Sequence, residues 1–243
     1  MIFQSIILPI LMLMIIGAIL QKKFVFNLRA VSNLITYCLM PAAVFINLYE
    51  TKIEMNVLLD IIGYLFIFSL SLMVISALLS KAFALEKEES AIFKNSVVLI
   101  NSGNYGIPVS QLLFQGNPLG ISIQIIVMVF QNIITYTYGL YNLISATKSG
   151  LEILKELLKL PIIYAMILGG LFNSLNITVP EFIFIPLNHL GNAFLAIALI
   201  LLGAQLSQIQ MKTVVNKLVV LSSLGRLLIG PAVALAFIFI MGL

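Results

Sequence analysis

Ile100–Ser110 reads INSGNYGIPVS. It lies between SVVLI and QLLFQ and puts two Asn, two Ser, a Tyr, two Gly and a Pro inside an otherwise apolar run. The eleven residues from Ala91 to Asn101 make about 16 Å of helix at ~1.5 Å per residue, roughly half of a ~30 Å hydrocarbon core. A break here falls near the middle of a bilayer. Pro108 has no N–H and fits the first turn of a new half-helix, running to about Gln115. Gly103 and Gly106 let the backbone turn and let another segment approach closely. Unpaired backbone in hydrocarbon is tolerated only when it is buried in protein or lines a wet cavity. The break leaves N–H groups at the positive end of the second half-helix and carbonyls at the end of the first. Asn101, Ser102, Asn104 and Tyr105 add side-chain donors and acceptors. A kink repaired by neighbouring helices is the plainer alternative, but a kink needs one Pro and none of this polar company. Asn101, Ser102, Gly103, Asn104, Tyr105, Gly106 and Pro108 are therefore expected to form a substrate site.

Composition sets the environment. Hydrophobic residues make up 61% of the 243-residue chain and charged ones 9%, against roughly 45–50% and 25% in soluble domains. The mean hydropathy is +1.15. The apolar runs do not alternate, as a β-barrel requires, and have the length of spanning helices. The expected class is an all-α polytopic membrane protein. Cys38 is the one cysteine and His189 the one histidine, so neither an intrachain disulfide nor a His/Cys zinc site is expected. No cofactor is expected either. MIFQSIILPI has no basic stretch ahead of its apolar run and reads as a first span rather than a signal peptide.

Eight spans are expected: 3–21, 30–49, 57–80, 91–115, 119–145, 158–174, 182–207 and 214–242. The Lys and Arg in the seven loops, counted with those at the adjoining span ends (Lys94, Lys159 and Lys217), number 3, 1, 3, 0, 3, 0 and 2. By the positive-inside rule the odd loops are cytoplasmic and the N-terminus is outside. The net charge of +4 then reports topology, not nucleic-acid binding. The charged runs KAFALEKEES and KSGLEILKELLK read as solvated linkers, the second also as an interfacial helix leading into span six.

Spans one and six are alike. Leu8–Leu20 is LPILMLMIIGAIL and Leu160–Phe172 is LPIIYAMILGGLF, with six of thirteen positions identical. The matches that carry weight are Pro9 with Pro161 and Gly17 with Gly169. Five spans precede the second copy, so that copy is inverted. Inverted repeats mark secondary transporters, whose substrate sits near the midplane at discontinuous helices. The expected organisation is a first five-helix repeat over 1–145 and a second, truncated to three helices, over 146–243.

NSGNYGIP after a Lys/Glu loop resembles the fourth helix of the auxin efflux carrier family, whose pattern N-x-G-x-x-G-x-P falls on Asn101, Gly103, Gly106 and Pro108. Weaker matches are MPAAVF (Met40–Phe45), LLGAQLS (Leu201–Ser207) and GRLLIGP (Gly225–Pro231). The resemblance runs through to Leu243. It implies ten helices in two inverted halves, with helices four and nine broken and crossing at the substrate. It also implies a carrier for a small organic anion such as malate or malonate, in the cytoplasmic membrane, and a homodimer. The chain here stops after span eight, so the partners of spans four and five are expected in a longer chain or in another polypeptide. A non-transporting remnant or a regulatory ligand-binding subunit is the alternative.

Other polar residues carry two readings each. Arg226 meets a substrate carboxylate, or snorkels to the cytoplasmic face. Gln131 and Asn132 line a cavity beside span four, or bond a neighbouring helix. Pro41 unwinds span two, or merely kinks it. His189, near the outer end of span seven, reads as a surface or interhelical group before a proton relay. Asp60 and Glu181 suit outer helix starts. A membrane enzyme finds no support: neither G-x-S-x-G nor H-E-x-x-H occurs, and Ser102 has no histidine at its depth.

Overall fold

Apolar runs in lipid satisfy their backbone internally as helices, and among the described residues the computed structural model has helices and no strands. It describes residues 6–51, 54–115, 117–144, 158–209 and 216–242. In chain order the helices are α1 (Leu8–Phe24), α2 (Leu28–Leu34), α3 (Met40–Glu50), α4 (Met55–Ala82), α5 (Lys87–Val98), α6 (Ile107–Leu113), α7 (Pro118–Ile134), α8 (Leu140–Ile144), α9 (Pro161–Ser174), α10 (Glu181–Leu206), α11 (Lys217–Leu224) and α12 (Gly230–Met241). Wider π-helical turns at Ile35–Leu39, Ser102–Gly106, Thr135–Gly139 and Gly225–Ile229 join α2 to α3, lead into α6, and join α7 to α8 and α11 to α12.

Five of the resulting rods are long and apolar enough to cross a membrane: Leu28–Glu50, Met55–Ala82, Pro118–Leu143, Glu181–Leu206 and Lys217–Met241. Apolar side chains such as Phe239, Ile240, Phe182 and Leu227 point outward, which suits hydrocarbon and would be costly in water. The chain is an all-α polytopic membrane protein. The expected repeat boundary at residue 145 and the expected interfacial helix in KSGLEILKELLK lie largely outside the described residues.

The π-turns have local causes. Pro41, Pro108 and Pro231 each stand two residues after one of them. A proline removes the bond to the carbonyl four residues back and crowds it. The helix responds by widening: Met40 N–H donates to the carbonyl of Ile35, and Gly230 N–H to that of Gly225, five residues back. Pro41 therefore widens span two without unwinding it. The fourth turn has no proline. There Thr135 and Thr137 hydroxyls donate to the Gln131 and Ile133 carbonyls at 2.8 and 2.7 Å, and such back-bonding competes with the helical ladder.

The chain packs as two compact units. One holds residues 1–53, 101–129 and 157–209. Its main pairings are α1 on α10 and α9 on α3, with α3 on α10 between them. Glycines set both pairings. Gly17 of α1 lies against the Ile200 backbone and Gly203 of α10 against the Met14 backbone, so closely that neither leaves room for a β-carbon. A β-carbon on Gly169 of α9 would stand 2.8 Å from the Phe45 carbonyl of α3. Leu8–Pro9 and Leu160–Pro161 both open their helices. Asn173 donates to the Tyr49 carbonyl at 2.6 Å, and the Tyr49 hydroxyl accepts from Val179 N–H at 3.3 Å. The core runs through Ile35, Val44, Ile107, Ile125, Met128, Phe194 and Ala198.

The other unit holds residues 54–100, 130–156 and 210–243. In it α5 packs on α4, α8 and α11, and α12 on α4. Glu86 caps α5, its side chain and that of Glu89 each accepting from the other's backbone N–H. Asn95 ties α5 to the rod beyond α7, donating to the Gly139 carbonyl at 2.9 Å and accepting from Asn142 at 2.8 Å.

Candidate functional site

The interruption predicted in span four is present but shorter than expected. α5 ends at Val98, Leu99 is extended (φ −87°, ψ 142°) and Asn101 lies outside helical space (φ −80°, ψ 69°). Helix resumes at Ser102, six residues before Pro108. The π-turn Ser102–Gly106 accommodates the proline, so Pro108 lies inside the second half-helix instead of opening it. The glycines do not turn the chain either. Gly106 is helical (φ −62°), and among the described glycines only Gly242 has a positive φ. Their use is close approach. A β-carbon on Gly106 would strike the Gln124 amide, and one on Gly103 would stand 3.2 Å from Met40 Cε and 3.3 Å from Met128 Sδ.

The N-terminal end of this half-helix forms the candidate site. Its first closed bond is Gly106 N–H to the Asn101 carbonyl, at 3.1 Å. The amides ahead of it, of Ser102, Gly103, Asn104 and Tyr105, have no helical carbonyl one turn back, and the helix dipole adds partial positive charge there. Gln124 of α7 donates to the Ser102 carbonyl at 2.9 Å, which holds the half-helix against its neighbour. The Asn104 side chain has a buried amide oxygen with no partner in the protein. Rotation of the amide would present its NH₂ instead. Gln111 Oε1 and Ser122 Oγ are also buried and unpartnered. Ser102 is buried, while Asn101 and Tyr105 are exposed. The segment packs on α10. The arrangement offers donors, partial positive charge and uncommitted amide groups to a small anion. Among the described residues no group of His, Cys, Asp and Glu could hold a metal.

Of the other polar residues singled out from sequence, Asp60, Gln131, Asn132 and Arg226 lie in the second unit, and Glu181 and His189 in the first. Gln131 is buried and donates to the Val98 carbonyl at 3.4 Å, so it bonds a neighbouring helix. Arg226 is half-buried, and its guanidinium donates to the Val97 carbonyl at 3.0 Å. Asn132 is half-buried, while His189, Asp60 and Glu181 are exposed. Gln124 was not among the residues expected. Its signal was there: it stands seven residues before Gln131, two turns along one face of an apolar helix.

These features define a polytopic helical membrane protein with a helix broken in mid-span and polar groups gathered at the break. The family described as "Membrane transport protein" matches residues 2–155 and 145–243. The chain belongs to this family, that of the auxin efflux carriers, and is a membrane transporter. No curated protein matches it.

Proposed function

We propose that the protein is a secondary carrier for a small organic anion, a dicarboxylate such as malate or malonate, in the cytoplasmic membrane. The observation that carries this reading is the N-terminal end of Ser102–Leu113, with four amides lacking helical acceptors and a buried, unpartnered Asn104 amide oxygen. A carboxylate would accept from these amides and from Asn104 and Asn101, favoured by the dipole. Transport would follow an alternating-access shift in which the broken helix changes its exposure. The inverted repeat is supported by two pairings that exchange under it: span one on span seven through Gly17, and span six on span two through Gly169.

The test is malonate and malate binding to purified protein, followed by uptake into liposomes. Asn104→Leu should abolish binding while the protein keeps its thermal stability. Unchanged affinity in folded Asn104→Leu protein refutes this site. Binding without flux in the wild-type protein would replace the carrier by a ligand-binding subunit.

A further inference from the structure

We infer that Arg226, with Gln131, is a positioning residue: the two form a clamp on the carbonyl end of the half-helix α5, and neither is a ligand for the transported anion. A helix end exposes its last carbonyls. At α5 the Asn95 carbonyl is taken by Leu99 N–H at 2.8 Å. The Val97 and Val98 carbonyls belong to residues that are 0% and 3% exposed, where water does not serve them. The next turn of helix, which would have supplied donors, is cut off by the extended Leu99. Side chains from two other rods replace it, Arg226 at Val97 and Gln131 at Val98.

The surroundings fit this role. Gly225 lets its rod lie close to α5, since a β-carbon there would stand 2.9 Å from Val97 Cγ2. The π-turn Gly225–Ile229 carries Arg226 at that same place. Among the described residues no carboxylate pairs with Arg226. Its counter-charge is the negative end of the α5 dipole, which a cation stabilises. A charge within a membrane rod normally has such a partner.

The experiment is hydrogen exchange in nanodiscs on wild-type, Arg226→Met, Arg226→Lys and Gln131→Leu proteins. Loss of the clamp should raise exchange about tenfold or more in the peptide covering Phe93–Asn101, in Arg226→Met most and in Gln131→Leu less. Arg226→Lys, which keeps charge and a donor, should restore most of the protection. Unchanged exchange in both Arg226→Met and Gln131→Leu overturns the clamp. If Arg226→Met does not fold, Arg226→Gln and Gln131→Leu carry the same comparison. A second readout rests on the carrier reading: in malonate uptake, Arg226→Met should lower the maximal rate with KM within about twofold. A KM raised tenfold in both Arg226→Lys and Arg226→Met, with exchange unchanged, would make Arg226 a substrate ligand instead. The exchange arm needs no substrate. It decides the clamp even if the wild-type protein binds no malonate, a result that would count against the carrier alone.

Discussion

Replacing Gly106 by alanine should change sign with the residue at position 124. Gly106 is helical, so alanine meets no backbone strain there, and in a helix it is favoured over glycine by about 0.5–1 kcal/mol. In the wild-type background, however, its β-carbon would occupy the place of the Gln124 amide. The amide is the end of a flexible side chain and can move, but moving it breaks the 2.9 Å bond to the Ser102 carbonyl. Ser102 is 4% exposed, and a buried carbonyl left without a partner costs about 1–3 kcal/mol. Gly106→Ala should therefore destabilise the wild-type protein by roughly 1–2 kcal/mol. In a Gln124→Ala background the bond and the collision are both gone. There Gly106→Ala should be neutral or stabilise by up to ~1 kcal/mol. Reversible unfolding in mixed detergent–SDS micelles measures all four proteins of the cycle. Additivity of the two substitutions within about 0.5 kcal/mol would refute the argument, because it would mean that Gly106 and Gln124 do not share a contact.

Gly203→Val should destabilise by about 3 kcal/mol or more, since its β-carbon would overlap the Met14 backbone; Gly170→Ala, with nothing within 4 Å, should leave the midpoint of unfolding nearly unchanged. Asn95→Leu removes bonds to Gly139 and Asn142 and should cost roughly 1–2 kcal/mol in the same unfolding assay, more than Asn142→Ala, which removes one of them. Glu86→Ala should cost about 1 kcal/mol and speed hydrogen exchange at the first turn of α5, where the capping box sits; protection unchanged at Lys87–Glu89 would show that the cap is idle.

The membrane class, the helical spans and the place of the interruption were legible in sequence for one physical reason. A bilayer imposes a length on apolar runs and a penalty on polar ones, and both are properties of the chain read in order. INSGNYGIP stands out because hydrocarbon makes its residues expensive. The likeness of Leu8–Leu20 to Leu160–Phe172 was visible for the same reason, a proline and a glycine being rare enough among aliphatics to keep their register.

What polar and small residues do to one another was not legible, because it depends on which faces meet. The sequence suggests two uses for Gly103 and Gly106, a turn and a close approach, and only the second is found. Both glycines lie in helix, and the space they leave is used by Met40, Met128 and Gln124. Pro108 suits a helix start, yet i→i+5 bonding lets helix begin at Ser102 and carries the free amides to Ser102–Tyr105. Sequence leaves Arg226 a choice of substrate or solvent, whereas its guanidinium donates to a backbone carbonyl 129 residues away. By itself the sequence determined that a helix must break within the membrane and that polar groups must gather there, since no backbone in lipid can leave its bonds unmade. Only the tertiary structure decided which ends are already satisfied and which remain open. The carbonyls of Val97 and Val98 are taken by side chains from distant rods. The amides of Ser102–Tyr105 have no helical carbonyl one turn back.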